Sequence, residues 1–188
     1  MILTKDTLRC LFRSNRWKSN TNVENLHFNP NSIDITLSPH YYTYKETYRK
    51  VIDPRESNIE DFMVLNQIDD YIDLLPKEFI LGSANESFDC SEPIGGIAYV
   101  QMLDGRSTLS RLGISIHNSA GFGDYGFNDT FTLGILNNSP FSIRLHKNMR
   151  IAQVYFTDLD DSIILDRYQG YANNNGYPGL PRLGKGRF

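Results

Sequence analysis

Asp104-Gly-Arg-Ser-Thr-Leu-Ser-Arg111 and, a short apolar stretch later, His117-Asn-Ser-Ala-Gly-Phe-Gly-Asp-Tyr-Gly-Phe127 decide how this chain is read. The first run sets two arginines and three hydroxyls beside a glycine, a composition suited to an anionic, oxygen-rich ligand. The second places one acid, Asp124, in a glycine-studded loop bracketed by aromatics, where backbone is able to approach a ligand closely. Two strand-like stretches follow, Thr130 to Leu136 and Ile151 to Phe156, and the second carries a polar Gln153 between apolar neighbours. Together they read as an anion and nucleotide pocket built on β-structure.

Moving outward, Glu78-Phe-Ile-Leu-Gly82 reads as a strand, and Pro93-Ile-Gly-Gly96 as a turn before Ile97 to Leu103. Beyond it come short strands separated by glycine or asparagine turns, such as Asn137-Asn-Ser-Pro140 and Lys147-Asn148. That spacing favours a sandwich or barrel over alternating β and α units. Near the start, Thr4 is a candidate N-cap for a short amphipathic helix with Leu8, Leu11 and Phe12 on its apolar face and Arg9, Arg13 and Arg16 facing out. After the turn Asn29-Pro-Asn-Ser32, the alternation of Ile33, Ile35 and Leu37 predicts a half-buried strand. Pro39 to Asp73 is rich in tyrosine and charge and has no clear period.

The 188 residues suit a single domain, 1–188, with a flexible glycine- and asparagine-rich tail from about 168 to 188. A net charge of −3 argues against a general nucleic-acid binder. No apolar run is long enough for a membrane span, and no signal-peptide core opens the chain, so a cytoplasmic setting is expected. Cys10 and Cys90 are too few and too far apart for a disulfide framework or a thiolate metal site.

The whole chain resembles the dCTP deaminase branch of the dUTPase superfamily. The likeness runs from Ile2-Leu-Thr-Lys-Asp6 through Asn31-Ser-Ile-Asp-Ile-Thr-Leu37 and Phe79-Ile-Leu-Gly82 to Gly105-Arg-Ser-Thr-Leu-Ser-Arg-Leu-Gly113. It continues in His117-Asn-Ser-Ala-Gly-Phe122, Asp124, Gly126-Phe127, Thr132-Leu133, Asn137 and Met149-Arg-Ile-Ala-Gln153, and ends at Arg167-Tyr-Gln-Gly170. The resemblance implies a mainly β protein with a β-clip, a distorted jelly-roll-like fold, working as a homotrimer whose active sites are shared between subunits. It implies that Arg106, Ser107, Thr108 and Arg111 hold a deoxypyrimidine nucleoside triphosphate. His117 and Ala120 would wall the pocket, and Phe127 and Thr132 would flank sugar and base. Arg167, Tyr168 and Tyr171 would lie where a C-terminal segment closes over the phosphates. Asp124, with Arg111 and Gln153, would be catalytic.

One departure shapes the functional expectation. Family deaminases carry a glutamate after Thr-Leu that activates water against the pyrimidine, and here the motif is Thr132-Leu133-Gly134-Ile135. No Asp or Glu lies between Thr130 and Lys147 to replace it, and a positioned general base is worth about a hundred- to ten-thousand-fold in rate. A zinc deaminase motif, His-x-Glu with Pro-Cys-x-x-Cys, is absent too. The expected activity is therefore hydrolysis of dUTP, or a related triphosphate, to the monophosphate and pyrophosphate. Asp124 would orient water, and Mg²⁺ would be carried by substrate phosphates rather than by side chains. Two alternatives stay open: deamination, either of dCTP by a base other than the missing glutamate or of a modified dCTP with room over Gly134, and a nucleotide-binding or regulatory protein without catalysis. Structural readings stand beside these: Asp124 as a turn acid, Arg111 on a strand edge, His117 and Gln153 as hydrogen-bonding partners, Gly134 as a bulge. Gly123 and Tyr125 also depart from the Ile-Asp-Pro usual around Asp124, the stretch between Phe156 and Arg167 is short, and Tyr171 replaces a glutamine.

Overall fold

A computed structural model describes residues 1–46, 51–117, 119–159 and 177–183. The chain opens with helix α1 (Lys5–Arg13), then runs through strands β1 (Lys18–Ser19), β2 (His27–Phe28), β3 (Ile33–Tyr44), β4 (Met63–Gln67), β5 (Tyr71–Leu74), β6 (Phe79–Asp89) and β7 (Ala98–Gly105). A one-turn helix α2 (Ser107–Arg111) interrupts the β-structure before β8 (Ile114–Ile116), β9 (Phe122–Gly123), β10 (Thr130–Asn137), β11 (Ile143–His146) and β12 (Arg150–Leu159). The fold is mainly β, a β-clip, as expected.

Ten strands form one curled sheet in the order β8-β10-β6-β3-β12-β7-β9, with β1 on β6 and both β2 and β4 on β3; β5 and β11 make a separate pair. All of these pairings are antiparallel. Strand β3 makes the curl. Its first half, Ile33 to Thr36, pairs with β12, while from Leu37 to Tyr44 it pairs with β6 and β4. The register slips between Leu37 and Tyr41, a span that contains Pro39, whose missing N–H cannot serve a ladder. The expected half-buried alternation is corrected here: Ile33 to Ser38 are all buried, because both faces of this segment are covered. Its polar members are hydrogen-bonded rather than solvated. Thr36 gives its N–H and hydroxyl to the two oxygens of buried Glu86 at 2.7 and 2.8 Å.

The helix α1 is where the pattern placed it, and Leu8, Leu11 and Phe12 are its buried residues. Nine residues are too few to hold a helix in water, so this face must be secured by packing. Phe12 meets Trp17, Phe88 and Phe156 with ring centroids 6.0, 5.7 and 6.3 Å away, and Trp17 lies 5.1 Å from Phe156. Thr4 takes the N-cap conformation, but its hydroxyl pairs with that of Thr7 at 3.1 Å instead of a backbone N–H. Arg13 and Arg16 face out and pair with Glu24 and Glu92. Helix α2 is a second departure: Arg111 ends a helical turn anchored by buried Leu109, not a strand edge. Among the described residues no helix is long and apolar enough to cross a membrane.

Candidate active site

The turn from β7 into α2 carries the arginine- and hydroxyl-rich run, and two adjoining cavities open around it. The larger, about 430 Å³, is lined by Asp104, Gly105, Ser107, Ser110, Ile114, Ser115, Ile116, His117 and Gln153. The smaller, about 230 Å³, is lined by Asn29, Pro30, Asp34, Arg106, Ser107, Thr108 and Gln153. Ser107 and Gln153 belong to both, so β12 and α2 form the wall between them. The larger cavity falls in the size range of small-molecule sites, roughly 300–1,000 Å³.

A polar network fixes this wall. Buried Asp34 pairs with Arg106 and accepts from Arg150 Nη1 at 3.3 Å and from Asn29 Nδ2 at 2.7 Å. Asn29 also donates to Ser32 Oγ at 3.2 Å, and the Ser32 hydroxyl donates to Gln153 Oε1 at 2.8 Å. Gln153 Nε2 completes the chain on the Gly105 carbonyl at 3.2 Å. Arg106 is thus held by a carboxylate through Nη1 of its guanidinium, and the partly exposed side chain lines the smaller cavity. Asp34 was not among the sequence candidates. Alternation sets Asp34 on the face opposite Ile33 and Ile35, which reads as solvent-facing, so the sequence carried no signal for this buried pair.

His117 joins this region to β10. Its backbone N–H donates to the Gly134 carbonyl at 2.8 Å, and its Nδ1 accepts from the Gly134 N–H at 3.4 Å. Burial pushes the imidazole below its ordinary range, and a hydrogen bond to the Ala120 backbone offsets part of that. The ring is therefore a neutral hydrogen-bonding group on the cavity wall.

The remaining described candidates line neither cavity. Asp124 is exposed on the turn after β9, and Ala120 is exposed before it. Phe127 is buried with its ring 4.8 Å from that of Phe131. Thr132 accepts from the Gly179 N–H at 2.7 Å, and the Tyr177 ring lies tilted against His40 with centroids 4.2 Å apart. Arg111 is exposed at the end of α2. None of Asp124, Ala120, Phe127, Thr132 and Arg111 lines either cavity. Arg167, Tyr168 and Tyr171, and the proposed tail apart from 177–183, lie outside the described residues.

Gly134 is neither a bulge nor open space. It pairs regularly with Leu81, and the irregularity of that ladder falls between Thr130 and Thr132. A Cβ on Gly134 would stand 3.3 Å from Phe79 Cε2, and Phe79 is itself stacked on Tyr44 at 5.8 Å. The expected room over Gly134 is therefore corrected: an aromatic ring occupies it. Among the described residues no group of three or more His, Cys, Asp and Glu side chains is placed to hold a metal ion.

The dCTP deaminase-like family model matches residues 2–159. The chain belongs to the dCTP deaminase-like family. Its relatives include a protein named "dCTP deaminase, dUMP-forming" from Clostridium botulinum (strain Alaska E43 / Type E3), 35% identical over 148 residues that cover 79% of this chain and 78% of that protein. A protein of the same name from Clostridium beijerinckii is 34% identical over the same shares of both chains. In the crystal structure of 2'-deoxycytidine 5'-triphosphate deaminase from Agrobacterium tumefaciens, the similarity covers 82% of this chain at a TM-score of 0.60 and 20% identity. This chain spans 47% of that longer one, and the likeness is one of fold. On this dCTP deaminase-like scaffold a glycine, Gly134, stands beside the His117 wall.

Proposed function

We propose that the protein hydrolyses dUTP, or a closely related deoxypyrimidine triphosphate, to the monophosphate and pyrophosphate. The observation that carries this reading is Gly134 under the Phe79 ring: the place of the deaminating glutamate holds no proton acceptor, while Asp124 is kept. In this reading Asp124 takes a proton from a water that attacks the α-phosphorus. The bond to the bridging oxygen breaks and pyrophosphate leaves with the electron pair. Arg106, Ser107, Thr108 and Arg111 bind the phosphates, His117 and Ala120 wall the base, and Phe127 and Thr132 flank base and sugar. Mg²⁺, when bound, neutralises phosphate charge, and the hydroxyl- and amide-rich wall suits an ion that arrives with the triphosphate and keeps most of its water.

Within one chain Arg106, Ser107, Thr108, His117 and Gln153 form a first group that lines the cavities, and Asp124, Ala120, Phe127, Thr132 and Arg111 a second that lines neither. That division supports a homotrimer in which the first group of one subunit completes the second group of its neighbour. The name of the relatives supports the hydrolytic half, since release of a monophosphate from a triphosphate requires cleavage next to the α-phosphate. The same name favours a second reading in which dCTP is deaminated by a base other than a residue at 134.

The test is product analysis by ion-exchange chromatography after incubation with Mg²⁺ and dUTP, dCTP or dTTP singly. Formation of dUMP from dUTP, slowed about a hundredfold or more in Asp124→Asn, is the expected result. Formation of dUMP or dUTP from dCTP would establish the second reading. Saturable binding without turnover would leave neither.

A further inference from the structure

Asp124 has no hydrogen-bonded partner for its side chain among the described residues, yet its backbone is held at several points. Its carbonyl accepts from the Phe127 N–H at 2.9 Å, and Gly126 has φ +84, which makes Asp124 to Phe127 a turn that needs a left-handed third residue. Buried Gln101, in the middle of β7, donates through Nε2 to the Phe127 carbonyl at 2.7 Å and to the Phe88 carbonyl, near the end of β6, at 2.8 Å. Gln101 also pairs across the ladder with Gly123, the residue before Asp124. A side chain on Gly123 would crowd Gln101 Cβ, Phe127 and Phe131 at 3.1 to 3.2 Å, so the strand lies flat on this glutamine. The middle of the turn is tied down separately, by the Tyr125 hydroxyl on the Ser91 carbonyl at 3.0 Å.

Gln101 is a costly residue to keep here. Its Oε1 is the one buried side-chain oxygen or nitrogen without a partner among the described residues. A methionine or leucine would fill the strand position with no orphaned oxygen, so the side chain's contribution lies in its two-carbonyl grip. We infer that Gln101 and Tyr125 are positioning residues that hold the Asp124 turn in its working geometry. Gln101 acts through the Phe127 carbonyl and Tyr125 through the Ser91 carbonyl. The inference rests on the assignment of Asp124 as the base, and it adds two residues outside both cavities to the machinery.

The test uses Gln101→Met, which keeps the bulk and removes both donors, and Tyr125→Phe, which removes only the hydroxyl. With dUTP, kcat falls about tenfold or more for Gln101→Met and by a smaller factor for Tyr125→Phe, while KM stays within about threefold. In an Asp124→Asn background neither substitution lowers the residual rate further. Equal losses in both backgrounds, or a raised KM with kcat unchanged, would overturn the inference and leave Gln101 a core residue. If the unmodified protein forms no dUMP, the functional reading fails by itself. The grip is then judged by amide hydrogen exchange. Faster exchange at Tyr125 to Phe127 in Gln101→Met, with β12 unchanged, supports it, and an unaltered turn overturns it.

Discussion

Gly134 and Phe79 illustrate how one missing side chain is compensated by another. With a Cβ at 134 already 3.3 Å from the Phe79 ring, Gly134→Glu overpacks this contact and destabilises the chain by about 1–3 kcal/mol without creating deamination of dCTP. Adding Phe79→Ala should recover part of that stability, and urea unfolding of the single and double variants measures both effects. His117 makes a second prediction, through proton linkage. Burial holds its folded-state pKa below the ordinary 6.5, so the unfolded chain binds the proton more readily. Stability is therefore unaffected above that value and falls as pH drops below it, levelling off once the folded imidazole is itself protonated. Thermal unfolding between pH 7.5 and 5 should lose less stability in His117→Gln than in the unmodified protein.

At the scale of elements, β3 matters more than its alternation suggests, because it lies under both halves of the curled sheet. Asp34, at its start, ties β12 and the β7–α2 turn together through Arg150 and Arg106. Removing one partner of a buried charge pair costs about 3–5 kcal/mol, and the partial exposure of both arginines puts Asp34→Asn nearer 2–3. It should also loosen Arg106, raising the KM for the triphosphate more than it lowers kcat; urea unfolding and steady-state kinetics check the two halves of this statement. Helix α1 depends on the aromatic cluster beneath it. Phe156→Ala removes the ring that Phe12, Trp17 and Phe88 share, and should cost about 3–5 kcal/mol by the same unfolding assay.

For the whole molecule the question is whether the cavity-lining residues and the Asp124 turn come from one subunit or from two. If neighbouring subunits supply them, a mixture of two inactive variants regains activity. Asp124→Asn and Arg106→Ala chains, unfolded together and refolded in equal amounts, should recover roughly a quarter of full dUTP hydrolysis, since random assembly pairs one intact group with the other at that frequency. Light scattering of the unmodified protein should report three chains per particle. No recovery, with trimers present, would place the whole site within one subunit.

Patterns set by neighbours along the chain are legible in the amino-acid sequence itself: the apolar face of α1, the strand beginning at Ile33, the turn before β7, and the run from Gly105 to Arg111 whose hydroxyls and arginine line the cavities. These depend on periodicity and local chemistry, which the order of residues states directly. The tertiary structure alone decided what depends on distant residues meeting. It buried both faces of the β3 start, paired Asp34 with arginines far along the chain, and laid Phe79 against Gly134. It also set Gln101 under the turn of Asp124, where an apolar residue was the simpler choice. Such pairings arise when the sheet curls and brings its strands into contact, and no spacing within a single strand encodes them.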